Sequence, residues 1–213
     1  MPTLTDAVLA GTITMLATGL GGLPFVFVRR FPDEVGRLGW AVAGGMMLSA
    51  SVFNLIIPGV EVGGITPVAI GVLAGTVLFG LATTLLSGHE HDERGIPVPT
   101  PATQGSARVA LILGTMFLHS FPEGLAVGVA YGSGEAALGL LMTVAIAVHN
   151  IPEGVAVSLP LRAEGVSGWK CVGWAIFSSL PQPIAVVPAF LAVQAFQPVL
   201  PFALGLAAGA MFF

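Results

Sequence analysis

Two stretches decide how this chain is interpreted: HSFPEGLAVG at residues 119–128 and HNIPEGVAVS at residues 149–158. Both place a histidine, a proline, a glutamate and a glycine in the same order, thirty positions apart. The rest of the chain is strongly apolar. A repeated set of ionisable residues in such a chain therefore needs a physical explanation.

The chain has 213 residues, of which 55% are hydrophobic and only 8% are charged, and its mean hydropathy is +0.94. Soluble domains carry about 25% charged residues. We therefore predict an all-α integral membrane protein, with residues 1–213 forming one transmembrane domain in contact with the lipid bilayer and no nucleic-acid partner. The start of the chain has no basic region and carries Asp6, so we interpret it as a spanning helix and not a cleaved signal.

The apolar runs predict a polytopic helix bundle, because each is close to the roughly 20 residues that cross a bilayer. A seventh run begins near Pro198 and is still apolar at Phe213, so we expect an incomplete C-terminal span. The six complete runs cover residues 6–28, 39–58, 66–87, 107–131, 136–160 and 169–193.

The basic residues fall on one side of this arrangement. The connectors EVGGITP, YGSGEAA and QAFQP contain no lysine or arginine, whereas the alternate connectors contain all seven. Such asymmetry places the basic loops in the cytoplasm, so we predict an outside N-terminus in a cell (inner or plasma) membrane. The basic residues are Arg29, Arg30, Arg37, Arg94, Arg108, Arg162 and Lys170.

One predicted cytoplasmic loop, at about residues 88–106, contains the stretch HEHDE with His89 and His91. An ordinary solvated charge run and a weak metal-staging tract both fit this stretch. The sequence leaves the two interpretations open.

In the hydrophobic interior of the spans, away from their ends, the ionisable groups all belong to the repeated motif: His119, Glu123, His149 and Glu153. A charged side chain at the bilayer centre costs about 2.5 to 3.5 kcal/mol even on lenient scales. These groups therefore predict a bound ligand.

Helical spacing brings the four groups together. Histidine and glutamate are four apart in each motif and so share a helix face, and Asn150 reaches the same region from three residues before Glu153. The fourth and fifth spans are joined by a short connector and should be antiparallel neighbours. We predict that they are related by a pseudo-twofold axis in the membrane plane, as in many transporters.

Prolines and a methionine lie at the same depth. Pro122 and Pro152 lack amide hydrogens, which predicts broken helical backbone next to each glutamate. The PQP at residues 181–183 predicts a break in the middle of the sixth span, with the Gln182 amide near the site. Met47 is either a packing residue or a thioether beside the site.

Neutral imidazole nitrogens and carboxylate oxygens without thiolates suit Zn²⁺ and other divalent first-row cations. A lone buried histidine is more often structural, but the duplication at matched depth favours a metal site. Two glutamates on facing helices can also bridge two ions. A divalent cation is therefore the expected occupant, and we expect no cofactor.

On these residues the chain resembles the ZIP (Zrt-, Irt-like) family of divalent-metal transporters. The doubled H-[NS]-x-P-E-G motif carries the resemblance, supported by GGMMLSASVFNLIIPGVE, SSLPQPIAVVPAF and the histidine-containing loop. The resemblance implies eight helices with both termini outside, and movement of zinc, and often cadmium, iron, manganese or cobalt, toward the cytoplasm. It implies these site residues: His119, Glu123, His149, Asn150 and Glu153 as ligands, Gln182 at a further position, and Met47 as a contact.

Three departures from the family pattern stand out. Ser120 replaces an asparagine common in the family, Gln182 replaces a glutamate found in some members, and the eighth span is missing. The first two weaken the case for a second bound ion. The sequence leaves the number of subunits open, a homodimer included.

Two rival functions use the same residues. An intramembrane metal-dependent hydrolase would need a general base beyond the ligands and an open coordination position. Every ionisable group in the hydrophobic interior of the spans is already a candidate ligand. A metal sensor or structural metal module would not need the doubled proline motif.

Overall fold

The computed structural model describes residues 1–28, 33–87 and 106–212, and His89 and His91, the candidates for a metal-staging tract or a solvated charge run, lie outside them. The described residues form helices and no strand, which confirms the all-α class. The helices are α1 (Leu4–Gly22), α2 (Pro24–Phe27), α3 (Asp33–Ala50), a π-helix (Ser51–Ile56), α4 (Ile57–Gly63), α5 (Ile65–Ser87), α6 (Ser106–Gly132), α7 (Ala136–Ala163), α8 (Gly168–Ser178), α9 (Pro181–Ala195), a 3₁₀ turn (Gln197–Val199) and α10 (Leu200–Met211).

Each of the seven predicted apolar runs corresponds to helical structure within the described ranges. Two shorter apolar helices, Ile65–Leu81 and Gln197–Met211, accompany the long ones. These lengths and compositions confirm a polytopic integral membrane protein, while the pseudo-twofold relation stays a prediction. Within the described part of the chain, these helices are long and apolar enough to cross a bilayer: Leu4–Phe27, Gly44–Gly63, Ala136–Ala163 and Gly168–Ala195.

The prolines act differently in different spans. α6 and α7 each continue as one helix through Pro122 and Pro152. In contrast, the sixth span is interrupted, because α8 ends at Ser178 and α9 begins at Pro181. A proline in the first turn of a helix loses no hydrogen bond there. The predicted break at PQP is therefore confirmed, and it falls immediately before Gln182.

The second span contains a feature that the sequence did not predict. Residues Ser51–Ile56 form a π-helix between α3 and α4, and the Ser51 Oγ donates a hydrogen bond of 2.9 Å to the Met47 carbonyl oxygen. Short π segments of this kind are frequent at functional sites. This one follows Met47 by one turn.

Glycine allows the helices that surround the site to approach closely. A methyl group on Gly154 of α7 would meet the carbonyl oxygen of Thr18 on α1, and one on Gly124 of α6 would meet the Gln182 backbone on α9. Small residues permit such backbone contact between membrane helices. α1 thus packs on α7 and α6 on α9, while α6 and α7, joined by the connector at 133–135, also contact each other.

The main apolar core lies between these helices and α10. Val127, Ile146, Val186 and Leu204 are all fully buried in it. The core adjoins the site helices, so the polar groups between them are surrounded by apolar side chains.

Replacing Gly154 with alanine should destabilise the protein, because the added methyl group has only the backbone of α1 to displace. Overpacking of this kind costs about 1–3 kcal/mol, so the thermal unfolding midpoint in detergent should fall. Gly173→Ala is the matched control, since Gly173 lies in the exposed interior of α8 with no atom near its added methyl group. Equal midpoints for the two variants would contradict the close α1–α7 contact.

Candidate metal site

Three ionisable side chains converge between α6 and α7. Glu123 and His149 are fully buried and Glu153 is 3% exposed, and one ligand atom from each lies within 4.8 Å of the other two. His149 Nε2 is 3.1 Å from Glu123 Oε1 and 3.6 Å from Glu153 Oε2. Two carboxylates thus face one imidazole nitrogen.

The helices account for this geometry. His149 and Glu153 are one turn apart on α7, so both side chains lie on the same face. Glu123 lies on the neighbouring α6, in the first copy of the motif, at the position that Glu153 has in the second copy. The predicted meeting of the two motifs is therefore present for three of their four ionisable groups.

Several polar atoms at this site have no hydrogen-bond partner although they are buried. They are His149 Nδ1, Asn150 Oδ1 and both carboxylate oxygens of Glu153. A buried ionised group without a partner is costly, and all the basic residues of the chain lie in or beside the predicted loops. The arrangement leaves oxygen and nitrogen lone pairs free for a cation.

A series of amide hydrogen bonds begins at the Glu123 carboxylate. Gln182 Nε2 donates to Glu123 Oε2, and Asn150 Nδ2 donates to Gln182 Oε1 at 3.2 Å and to the Thr14 carbonyl oxygen at 2.8 Å. All four of these residues are fully buried. These hydrogen bonds connect α6, α9, α7 and α1 at the depth of the site.

His119, the remaining motif histidine, pairs with Met47. His119 Nε2 lies 3.2 Å from Met47 Sδ, and both side chains are half-buried. Among the described residues His119 is not a member of the three-residue group. The structure thus places an imidazole beside the thioether that the sequence suggested.

Ser120 is turned toward its own helix. Its Oγ donates a hydrogen bond of 3.1 Å to the Met116 carbonyl oxygen. The hydroxyl hydrogen is therefore already used, although the oxygen keeps its lone pairs.

Thr14 was missed by sequence reasoning. It takes part through its backbone carbonyl oxygen, which every residue type possesses, so no side-chain pattern signals it. Asn150 was expected near Glu153, and the structure adds that its amide group spans from α1 to Gln182.

Two of the three separations in this group are compatible with coordination of one zinc ion. Zinc bonds of about 2.0–2.2 Å in a tetrahedron separate neighbouring ligand atoms by roughly 3.4 Å. The distances from His149 Nε2 to the two carboxylates, 3.1 and 3.6 Å, lie on either side of that value. One borderline nitrogen and two hard oxygens fit a divalent first-row cation.

Comparison with known proteins agrees with this chemistry. The family described as "ZIP Zinc transporter" matches residues 81–213. A plant relative, "Putative zinc transporter At3g08650" of Arabidopsis thaliana, is 44% identical over 196 residues, which cover 92% of this chain and 31% of the relative. This chain therefore spans about a third of the plant protein's length.

Bacterial relatives match over a larger share of their own length. "Zinc transporter ZIPB" of Bordetella bronchiseptica is 38% identical, covering 97% of this chain and 69% of the relative. "Zinc transporter GufA" of Myxococcus xanthus is 34% identical, and the match covers 99% of this chain and 84% of the relative. The family match extends over more than half of the chain and includes both copies of the repeated motif. This chain belongs to the ZIP zinc transporter family.

Proposed function

We propose that this chain carries divalent metal cations, zinc first among them, across the membrane toward the cytoplasm. The observation that carries the proposal is the convergence of Glu123, His149 and Glu153, all buried and with no lysine or arginine near them in the sequence. Family membership supports it, since the relatives are named as zinc transporters. Cadmium, iron, manganese and cobalt are further candidate substrates.

The charge of the site favours a divalent cation. Two ionised carboxylates carry two negative charges, and one doubly charged ion cancels them. A neutral loaded site avoids the cost of holding net charge within the bilayer. This balance supports M²⁺ over monovalent cations.

The neighbouring groups complete the coordination in this proposal. His119 supplies an imidazole from one turn before Glu123 on α6, and Met47 supplies a thioether from α3. Asn150 offers the free Oδ1. Ser120 is a weaker oxygen contact. His89 and His91 in the cytoplasmic loop are proposed to stage the released ion.

Transport toward the cytoplasm is what the family resemblance implies, and the charge asymmetry of the loops supports the orientation of the chain. An outside N-terminus in the inner or plasma membrane leaves the basic connectors in the cytoplasm. The cation then enters from outside, exchanges water for the buried ligands and leaves inward as the site alternates its access. A homodimer is compatible with this scheme, and the hydrolase alternative receives no support from the names of the relatives.

Glu123→Gln and Glu153→Gln should each abolish most saturable Zn²⁺ uptake into proteoliposomes. Each change removes one of two charged ligands while keeping the side-chain volume. We expect a loss of at least about tenfold, since even outer-shell changes cost metal sites 10–100-fold.

Glu135→Gln is the matched control for this uptake measurement. Glu135 precedes α7 in the exposed connector, so its variant should transport normally. Equal uptake by all three variants would mean that the buried carboxylates are structural.

Met47→Leu should change metal preference. The substitution keeps the volume but removes the sulfur that lies beside His119. A thioether favours soft cations, so Cd²⁺ uptake should fall more than Mn²⁺ uptake when the two are compared in the same vesicles. An unchanged Cd²⁺ to Mn²⁺ ratio would exclude Met47 from the ion's path.

The two ends of α7 should label from opposite sides of the membrane. Ala136 and Ala163 are its first and last residues and both are exposed. In a background without Cys171, a membrane-impermeant maleimide applied to intact cells should modify Ala136→Cys and spare Ala163→Cys. The reverse pattern would overturn the proposed orientation.

A further inference from the structure

We propose that Gln182 limits this site to a single divalent cation, an inference that rests on the proposed function and adds its stoichiometry. Two glutamates on facing helices could bridge two ions, as their chemistry allows. The structure shows what surrounds the oxygen that a bridge would need. That oxygen is Glu123 Oε2, which accepts a hydrogen bond from Gln182 Nε2.

The orientation of the Gln182 amide is fixed from both ends of its hydrogen-bond chain. At one end the Thr14 carbonyl oxygen can only accept, so Asn150 must present its NH₂ group there and to Gln182. Gln182 must then offer its oxygen to Asn150 and its NH₂ group to Glu123. An ionised carboxylate at Glu123 can only accept, which requires the same direction.

This direction places N–H donors where a second ion would bind. Glu123 Oε1 faces His149 at 3.1 Å, on the side of the three-residue group, and Oε2 faces Gln182. An amide NH₂ carries partial positive charge and offers no lone pair to a cation. Rotating Gln182 would remove its bonds to both Glu123 and Asn150 and leave these buried groups unpaired, which is costly.

The charge balance of the site also favours a single divalent ion. One divalent ion neutralises Glu123 and Glu153, and a second would leave two uncompensated positive charges in a fully buried site. Gln182, which donates to Oε2, is a neutral amide, and so is Asn150, which donates to Gln182. They stabilise the carboxylate without a second cation.

A glutamate at position 182 would reverse this. Its carboxylate would still accept from Asn150, but its other oxygen would face Glu123 Oε2 without a hydrogen between them. Two facing carboxylates favour a cation that they share. Gln182→Glu should therefore create a second ion position next to the first.

Counting bound ions in the purified, detergent-solubilised protein tests this inference. The protein is dialysed to equilibrium against Cd²⁺ or Zn²⁺ at pH 8, where carboxyl protonation competes least, and the metal-to-protein ratio is measured by elemental mass spectrometry. We expect one ion per chain for the natural sequence and two for Gln182→Glu. Gln194→Glu is the control, because it makes the same change on the same helix where the side chain bonds to Gly132, and it should bind one.

Two ions bound by the natural sequence would overturn the inference and leave the proposed function intact, and this measurement does not depend on any variant folding. One ion bound by a monodisperse Gln182→Glu protein would show that Gln182 is not what excludes the second. No bound ion in the natural sequence would instead contradict the proposed function.

Discussion

The structure depends on two carboxylates that are buried in a membrane protein and have no lysine or arginine near them in the sequence. Glu123 and Glu153 face one imidazole, and the Glu153 oxygens have no hydrogen-bond donor. These carboxylates lose their hydration on burial, and the surrounding apolar helices do not replace it. Either bound protons or a bound cation must therefore stabilise them. The need for a positively charged occupant is thus built into the fold, and a divalent cation meets it with balanced charge.

Close helix contact makes this site possible. Gly154 lets α1 reach α7 next to Glu153, and Gly124 lets α9 reach α6 next to Glu123. These contacts bring the Thr14 carbonyl oxygen and the Gln182 amide within reach of the motif residues. The glycine after each glutamate in the repeated motif therefore positions the polar groups that border the ligands.

Much of this could be predicted from the sequence. The apolar runs gave the spans, since span length follows from bilayer thickness, and the four-residue spacing gave the shared face of His149 and Glu153. The break before Gln182 followed from proline chemistry. These features depend on local sequence alone.

Other features depended on tertiary packing and were not predictable. The π-helix after Met47 has no sequence signature that distinguishes it from an ordinary turn, and Thr14 acts through a backbone oxygen. The separation of His119 from the three-residue group also depends on how α3 packs, because Met47 comes from that helix. Local spacing placed His119 on the correct face but could not supply its partner.

The central claim is that a divalent cation binds to the buried histidine and glutamates. X-ray absorption spectroscopy of the zinc-loaded protein tests it most directly. We expect nitrogen and oxygen ligands at about 2.0–2.2 Å, with the outer-shell scattering that is typical of imidazole. A shell of six oxygens without imidazole scattering would contradict it, because the ion would then be hydrated and bound elsewhere.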